Sequence, residues 1–126
     1  MKSKILVCGS RYFNQYSRLK YDLKRVLNHF NLDADNVEIV SGHCYGADYL
    51  GERYARERKI KTTLFKAEWD KYGLSAGPIR NNQMINYIKD SDQPIVVAFL
   101  TPTSRGTKNT IDLARANNTQ TFVINV

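Results

Sequence analysis

The chain has 126 residues, of which 42% are hydrophobic and 25% charged, which matches one ordinary globular domain that needs no disulfides. Lys and Arg exceed Asp and Glu by 19 to 12, and the net charge of +7 favours anionic partners such as phosphates or nucleic acid. No apolar run reaches the roughly 20 residues of a membrane span and none resembles a signal peptide, so we expect a cytoplasmic protein without membrane contact, with one domain over residues 1–126.

Hydrophobic periodicity predicts an alternation of strands and helices. The run 4–8 is short, apolar and followed by glycine, as expected for a buried strand, whereas Leu19, Leu23 and Val26 repeat at helical spacing. Strands are predicted over 4–8, 37–40, 60–65, 94–100 and 121–126. Helices are predicted over 16–30, 47–58, 78–88 and 107–116, with a long connection over 66–78. This order predicts an α/β fold, Rossmann-like, with three α/β/α layers and a five-stranded parallel sheet.

Three loops that follow predicted strands combine glycine with hydroxyl or basic side chains. In an open parallel sheet, ligands bind beyond the carboxyl ends of the strands, where helix amino termini point their free N–H groups. The loops are Gly9-Ser10-Arg11, then Ser41-Gly42-His43-Cys44-Tyr45-Gly46-Ala47-Asp48, and Thr103-Ser104-Arg105-Gly106-Thr107. Glycine lets the backbone approach an anion, and hydroxyl and guanidinium groups donate hydrogen bonds to it. The loops therefore predict a phosphate site at one edge of the sheet.

Several side chains near these loops have two interpretations. Arg11, Arg80 and Arg105 could share an anionic ligand or serve surface solubility. Asp48 could complement a helix dipole or accept hydrogen bonds from a ribose or base. Trp69, in the long connection, could stack on a base from a lid or pack beneath its own loop.

The sequence gives little support for nucleophilic catalysis, a metal site or a nicotinamide cofactor. No serine or cysteine nucleophile has a suitably spaced base, and Cys8 and Cys44 lack the paired spacing of a zinc site, so we expect reduced thiols and no metal. The first loop has one glycine where a dinucleotide fingerprint has three. Nicotinamide-dependent hydride transfer is therefore not expected, and no cofactor is predicted.

The set of motifs resembles the SLOG superfamily, a Rossmann-like group that includes the Lonely Guy phosphoribohydrolases and the DNA-processing protein of natural transformation. The likeness is greatest to its small, YspA-like bacterial and phage branch. It covers nearly the whole chain, through the loop motifs above and a central set: Ala67, Trp69, Gly73, Ala76-Gly77, Arg80-Asn81 and Met84. The resemblance implies a nucleotide-like ligand at the glycine loops, either bound or cleaved at its N-glycosidic bond, and self-association through helix faces.

One departure from the phosphoribohydrolases concerns catalysis. The last loop keeps Gly106-Thr107, but Thr110 stands where those enzymes have a catalytic glutamate. Threonine cannot transfer a proton as a carboxylate does at neutral pH. Glu68, Asp70 or Asp48 could replace the glutamate only if the long connection folds over the ligand. Binding is therefore favoured over catalysis, and no catalytic residue is assigned.

The favoured function is binding of a nucleotide or nucleotide-derived phosphate, of ADP-ribose or second-messenger type, by a sensor or sequestering module. Nucleotide phosphoribohydrolase activity and single-stranded nucleic-acid binding remain alternatives. The predicted ligand-binding residues are Gly9, Ser10, Arg11, Ser41, Gly42, Tyr45, Gly46, Ala47, Asp48, Trp69, Arg80, Asn81, Arg105, Gly106 and Thr107. The partners expected are a small nucleotide-like molecule and further copies of the chain.

Overall fold

The computed structural model describes residues 2–126. The strands are β1 (Ser3–Gly9), β2 (Val37–Ser41), β3 (Lys61–Leu64), β4 (Gln93–Leu100) and β5 (Gln120–Asn125). The α-helices are α1 (Tyr16–His29), α2 (Ala47–Arg58), α3 (Trp69–Tyr72), α4 (Ala76–Ile88) and α5 (Arg105–Ala116), and short 3-10 helices cover Ala34–Asn36 and Gly73–Ser75. Within residues 2–126, no helix is both long enough and apolar enough to cross a membrane.

The five strands form one parallel sheet in the order β3-β2-β1-β4-β5. The chain builds outward from β1 to β3, then crosses back over the sheet and adds β4 and β5 on the other side of β1. The loops that leave β1 and β4 therefore diverge, and a crevice forms at the carboxyl ends of these two strands.

The sheet is covered by helices on both faces. Successive residues of a strand point to opposite faces, so Ile5 and Val7 pack with Leu23 of α1 and with residues of α2. Leu6, between them, packs on the other face with Ile85 of α4 and with residues of α5. The predicted Rossmann-like three-layer α/β/α architecture with a five-stranded parallel sheet is confirmed.

The connection between β3 and β4 differs from the sequence-based expectation. It was predicted to lack regular structure up to Pro78, but it contains α3 and a 3-10 helix, and α4 begins two residues earlier at Ala76. Proline is tolerated anywhere in the first turn of a helix, because the N–H groups there have no intrahelical partner. Likewise, α5 begins at Arg105 rather than at Thr107.

Candidate ligand-binding cavity

A cavity of about 300 Å³ opens at the carboxyl ends of β1 and β4. Its walls come from the turn after β1, the loop before α2, one face of α4 and the first turns of α5. The lining residues are Cys8, Gly9, Ser10, Arg11, Tyr12, Cys44, Asp48, Arg80, Asn81, Met84, Thr103, Ser104, Arg105, Gly106, Thr107 and Thr110. Its volume lies at the lower end of the range for small-molecule sites, roughly 300 to 1,000 Å³.

The turn after β1 is fixed by contacts with two neighbouring segments. The Ser10 N–H donates to the Phe99 carbonyl of β4 at 3.0 Å, and the Ala47 N–H donates to the Ser10 carbonyl at 3.2 Å. Gly46 adopts a φ of 85°, and a Cβ atom there would lie 2.2 Å from the Ser10 carbonyl oxygen. Only glycine therefore lets the loop before α2 press against the turn that carries Ser10 and Arg11.

Arg80 contributes a buried positive charge to the cavity wall. Its relative exposure is 9%, and Nη1 donates to the Gly42 carbonyl at 2.7 Å while Nε donates to Asn81 Oδ1 at 2.9 Å. Within residues 2–126, no carboxylate oxygen lies within 4.0 Å of this guanidinium. Asp48 lies close enough to interact with this charge, but no carboxylate contacts the guanidinium directly, and burial of an incompletely paired charge is costly. The wall at Arg80 is therefore complementary to an anion.

The amino terminus of α5 forms another electropositive part of the wall. Ser104 precedes the helix but makes no side-chain capping bond, and its hydroxyl accepts the Thr101 N–H at 3.1 Å. The first N–H groups of a helix have no intrahelical acceptor and carry a partial positive charge. The first turn, with Gly106 and Thr107 in the cavity lining, is therefore suited to an anionic ligand.

Asp48 is the acidic residue of the cavity lining. Its side chain is 6% exposed, and Oδ2 accepts the Cys44 N–H at 3.3 Å. Burial raises the pKa of Asp48 from 3.8 to about 7, and the charge of Glu52 acts in the same direction, against the opposing effects of the Cys44 N–H and Arg80. Near neutral pH, Asp48 can therefore either donate or accept a proton.

The structure brings most of the predicted ligand-binding residues to this cavity. Those in its lining are Gly9, Ser10, Arg11, Asp48, Arg80, Asn81, Arg105, Gly106 and Thr107. Gly42, Gly46 and Ala47 stand behind the wall, where they contact Arg80 or the Ser10 carbonyl. Ser41 is outside the lining, and its hydroxyl donates to Glu52 at 2.7 Å.

Two predicted aromatic residues are also outside the lining. Tyr45 is 73% exposed, and its ring meets that of Tyr49 edge-on, with centroids 5.3 Å apart. Trp69 packs over Gly77, where a Cβ atom would lie 3.3 Å from the indole ring. It borders a separate depression formed by residues 67–71, which also holds Glu68 and Asp70. The long connection thus does not bring Glu68 and Asp70 to the cavity. Asp48 lies in the cavity wall although the connection does not fold over the cavity.

Seven residues of the lining were not among the predicted ligand-binding residues: Cys8, Tyr12, Cys44, Met84, Thr103, Ser104 and Thr110. Cys44, Thr103 and Ser104 belong to the predicted loops, and the sequence also held a signal for Met84 and Tyr12. Met84 follows Arg80 by one helical turn and so shares its helix face, and Tyr12 directly follows Arg11 in the turn. Within residues 2–126, no cluster of three or more His, Cys, Asp or Glu side chains could hold a metal ion.

Comparisons with known proteins agree with this architecture. The chain is similar in fold to DNA processing protein A (DprA) from Streptococcus pneumoniae, with a TM-score of 0.69 and 16% sequence identity. The match covers 98% of this chain and 50% of that chain, so the protein spans about half the length of DprA. No curated protein matches the sequence. The family model described as YAcAr, the YspA, cpYpsA-related SLOG family, matches residues 3–72. This match covers more than half of the sequence, and the chain therefore belongs to the YspA, cpYpsA-related SLOG family.

Proposed function

We propose that the protein binds a nucleotide-derived phosphate ligand in the cavity, as a sensor or sequestering module. The observation that carries this proposal is the Arg80 guanidinium, buried in the wall with no carboxylate within 4.0 Å among residues 2–126. A bound anion offsets the cost of burying that charge.

The groups around Arg80 suit a phosphate more than a simple carboxylate. The Ser10 hydroxyl accepts the Tyr12 N–H at 3.2 Å, which leaves its own proton free to donate. The Thr107 side chain and the amino terminus of α5 add donors from another element of the wall. Arg11 and Arg105 are exposed residues of the lining, where their charges attract an anion from solution. Several donors from different directions match the several oxygens of a phosphate.

The size of the cavity favours an organic phosphate over the inorganic ion. A water molecule occupies roughly 30 Å³, and a phosphate is only a few waters in volume, whereas the cavity measures about 300 Å³. The remaining space accommodates a sugar. Membership of the SLOG family and the DprA-like fold are consistent with a nucleotide as the source of that sugar phosphate.

The proposal is tested by thermal stability in the presence of ADP-ribose or ribose 5-phosphate. A probe at about 100 times its Kd adds roughly 2.7 kcal/mol to the free energy of unfolding, which raises Tm by several degrees. We expect this shift in the wild type and in Arg115→Gln, an exposed change on α5 outside the cavity. Arg80→Gln, checked for folding by circular dichroism, should lose it. A wild type that responds to neither probe contradicts the proposal.

A second candidate function, hydrolysis of the N-glycosidic bond of a nucleotide, is favoured by the position of Asp48. A carboxyl with a pKa of about 7 can protonate the departing base as the bond from C1′ to the base nitrogen breaks. Water then supplies the oxygen that bonds to C1′, and its released proton returns to the Asp48 carboxylate. Thr110, at the position of the glutamate of the phosphoribohydrolases, also lines the cavity. Its hydroxyl donates to the Gly106 carbonyl at 3.3 Å, so the proton transfer is assigned to Asp48.

Release of free adenine from AMP, measured by liquid chromatography, tests this second function. The wild type and Asp112→Asn, an exposed change on α5, should release adenine at the same rate, and Asp48→Asn should release none. Binding of AMP without any adenine release excludes hydrolysis of this substrate and leaves the binding function intact.

A further inference from the structure

Tyr12 stands at the mouth of the cavity with its ring uncovered. The residue belongs to the lining, yet its side chain is 88% exposed. Its N–H donates to the Ser10 hydroxyl at 3.2 Å, which fixes the turn that carries the ring. Among residues 2–126, no aromatic ring or cationic group packs on it. A large apolar face is thus left free beside Arg11.

A second exposed ring belongs to the loop that contacts this turn. Tyr45 is 73% exposed, and the neighbouring Gly46 is so close to the first turn that a Cβ atom there would lie 2.6 Å from the Arg11 carbonyl oxygen. The two turns that carry Tyr12 and Tyr45 are therefore in direct backbone contact. Tyr45 already has a ring partner in Tyr49, whereas Tyr12 has none.

We infer that Tyr12 stacks on the base of a nucleoside phosphate whose phosphate lies against Arg80, with the base at the cavity mouth. This inference rests on the proposed function and specifies its ligand class. A cavity of about 300 Å³ lies at the lower limit for ligand pockets, so a sugar phosphate fills it and a base extends beyond it. Tyr12 is the exposed aromatic side chain in the lining at that mouth.

Stacking makes a specific prediction about affinity. Every base has an aromatic face, and stacking on a tyrosine strengthens with the area of overlap. Affinity should therefore decrease from AMP to UMP to ribose 5-phosphate. An alternative position for the base is the inner wall, where Met84 and Cys8 supply an apolar surface. A base bound there would not depend on Tyr12.

The experiment measures Kd by calorimetry for AMP, UMP and ribose 5-phosphate with the full chain. In the wild type, AMP should bind about tenfold more tightly than ribose 5-phosphate. Tyr12→Ala should reduce this ratio to near one and leave the Kd for ribose 5-phosphate unchanged, while Tyr12→Phe retains the ratio. Tyr21→Ala, a change at a 63% exposed tyrosine of α1 outside the cavity lining, is the matched control and should behave as the wild type.

Failures of the two proposals are distinguishable in this design. Equal Kd values for AMP and ribose 5-phosphate in the wild type, or a ratio that survives in Tyr12→Ala, overturn the stacking role while phosphate binding stands. Absence of binding by the wild type to all three compounds overturns both.

Discussion

The guanidinium of Arg80 is held by its own neighbour in the chain, since Nε of Arg80 donates to Oδ1 of Asn81 at 2.9 Å. The amide nitrogen of Asn81 in turn donates to the Gly106 carbonyl at 3.3 Å and to Asn109 Oδ1 at 3.0 Å. One buried amide therefore orients the cation of α4 and ties it to the first turn of α5. Both electropositive parts of the cavity depend on this side chain.

Asn81→Asp should weaken ligand binding and also the fold, since the carboxylate cannot donate to the Gly106 carbonyl and Asn109 as the amide does. The new carboxylate lies next to Arg80, neutralises its charge and repels a phosphate. We expect the Kd for ribose 5-phosphate, measured by calorimetry, to rise about tenfold or more, equivalent to roughly 1.4 kcal/mol. Asn82→Asp makes the same charge change at an exposed position of α4 and should retain the wild-type Kd. Equal affinities of the two variants would show that Arg80 does not contact the ligand.

Gly42→Ala should lower the stability of the protein, because Gly42 packs against the side of the cavity wall that faces away from the cavity. A Cβ atom at this position would lie 2.8 Å from Arg80 Nη1 and 3.0 Å from Asp48 Oδ2. We expect the free energy of unfolding to fall by about 1–3 kcal/mol, because buried atoms must move to relieve the overlap. Gly106→Ala is the control, since its added methyl group meets no atom within 4 Å apart from the adjoining backbone of its own helix, and it should be neutral or slightly stabilising. Urea titration of both variants compares them, and a neutral Gly42→Ala contradicts the close packing.

Tyr54→Phe should stabilise the protein. The Tyr54 side chain, on the buried face of α2, is 1% exposed and packs in the core. Its hydroxyl finds no hydrogen-bond partner in the part of the chain that the structure describes. An unsatisfied buried hydroxyl costs about 1–3 kcal/mol. Urea unfolding of the variant should show a gain of about 1 kcal/mol, while Tyr21→Phe, where the hydroxyl is exposed, should show none. A destabilised Tyr54→Phe would mean that the hydroxyl is bonded in solution.

The stability of the fold should depend on the ionisation of Asp48. Its pKa rises from 3.8 to about 7 because of burial, so the folded protein binds this proton more tightly than the unfolded chain does. The stabilisation that Asp48 contributes is therefore complete below about pH 4 and is lost as the pH rises to about 7.

Asp48→Asn tests this dependence, because an amide does not ionise and can still accept the Cys44 N–H. Between about pH 4.5 and about pH 8, the free energy of unfolding from urea titration should fall less in Asp48→Asn than in the wild type. Asp112→Asn controls for the loss of a surface carboxylate. If the two variants show the same dependence on pH, the Asp48 carboxyl is not perturbed by burial.

The pattern of the sequence was sufficient to predict the layers of the fold. Residues such as Ile5 and Leu6 alternate between two buried faces, and Leu19 and Leu23 repeat at helical spacing, so strands and helices are encoded locally. Helix starts were less predictable. Pro78 indicates the first turn of a helix but not which position it occupies in that turn. The first N–H groups of any helix are unpaired, so a proline, which lacks this group, fits at several of these positions.

The residues of the candidate site were predictable where they depend on the composition of the loops after strands. They were not predictable where they depend on the path of a connection or on how two helices lie relative to each other. The turns with Arg11 and Gly106 meet because parallel strands end at a common edge. The path of the β3–β4 connection has no such rule, so the sequence left open whether Trp69 stacks on a ligand or packs within its own segment; the structure places it on Gly77. Nor did it indicate that Asn81 connects α4 with α5, because this link depends on how two helices lie side by side on the sheet.

The strand order β3-β2-β1-β4-β5 has a consequence for dynamics. The cavity lies over the junction between the first half of the sheet and the half added after the crossover, so an occupant in contact with both Ser10 and Thr107 would cross-link the two halves. Local openings that separate β1 from β4 would then become rarer. Amide hydrogen exchange should consequently slow together on both sides of that junction when ribose 5-phosphate is bound, including in β5, which does not reach the cavity.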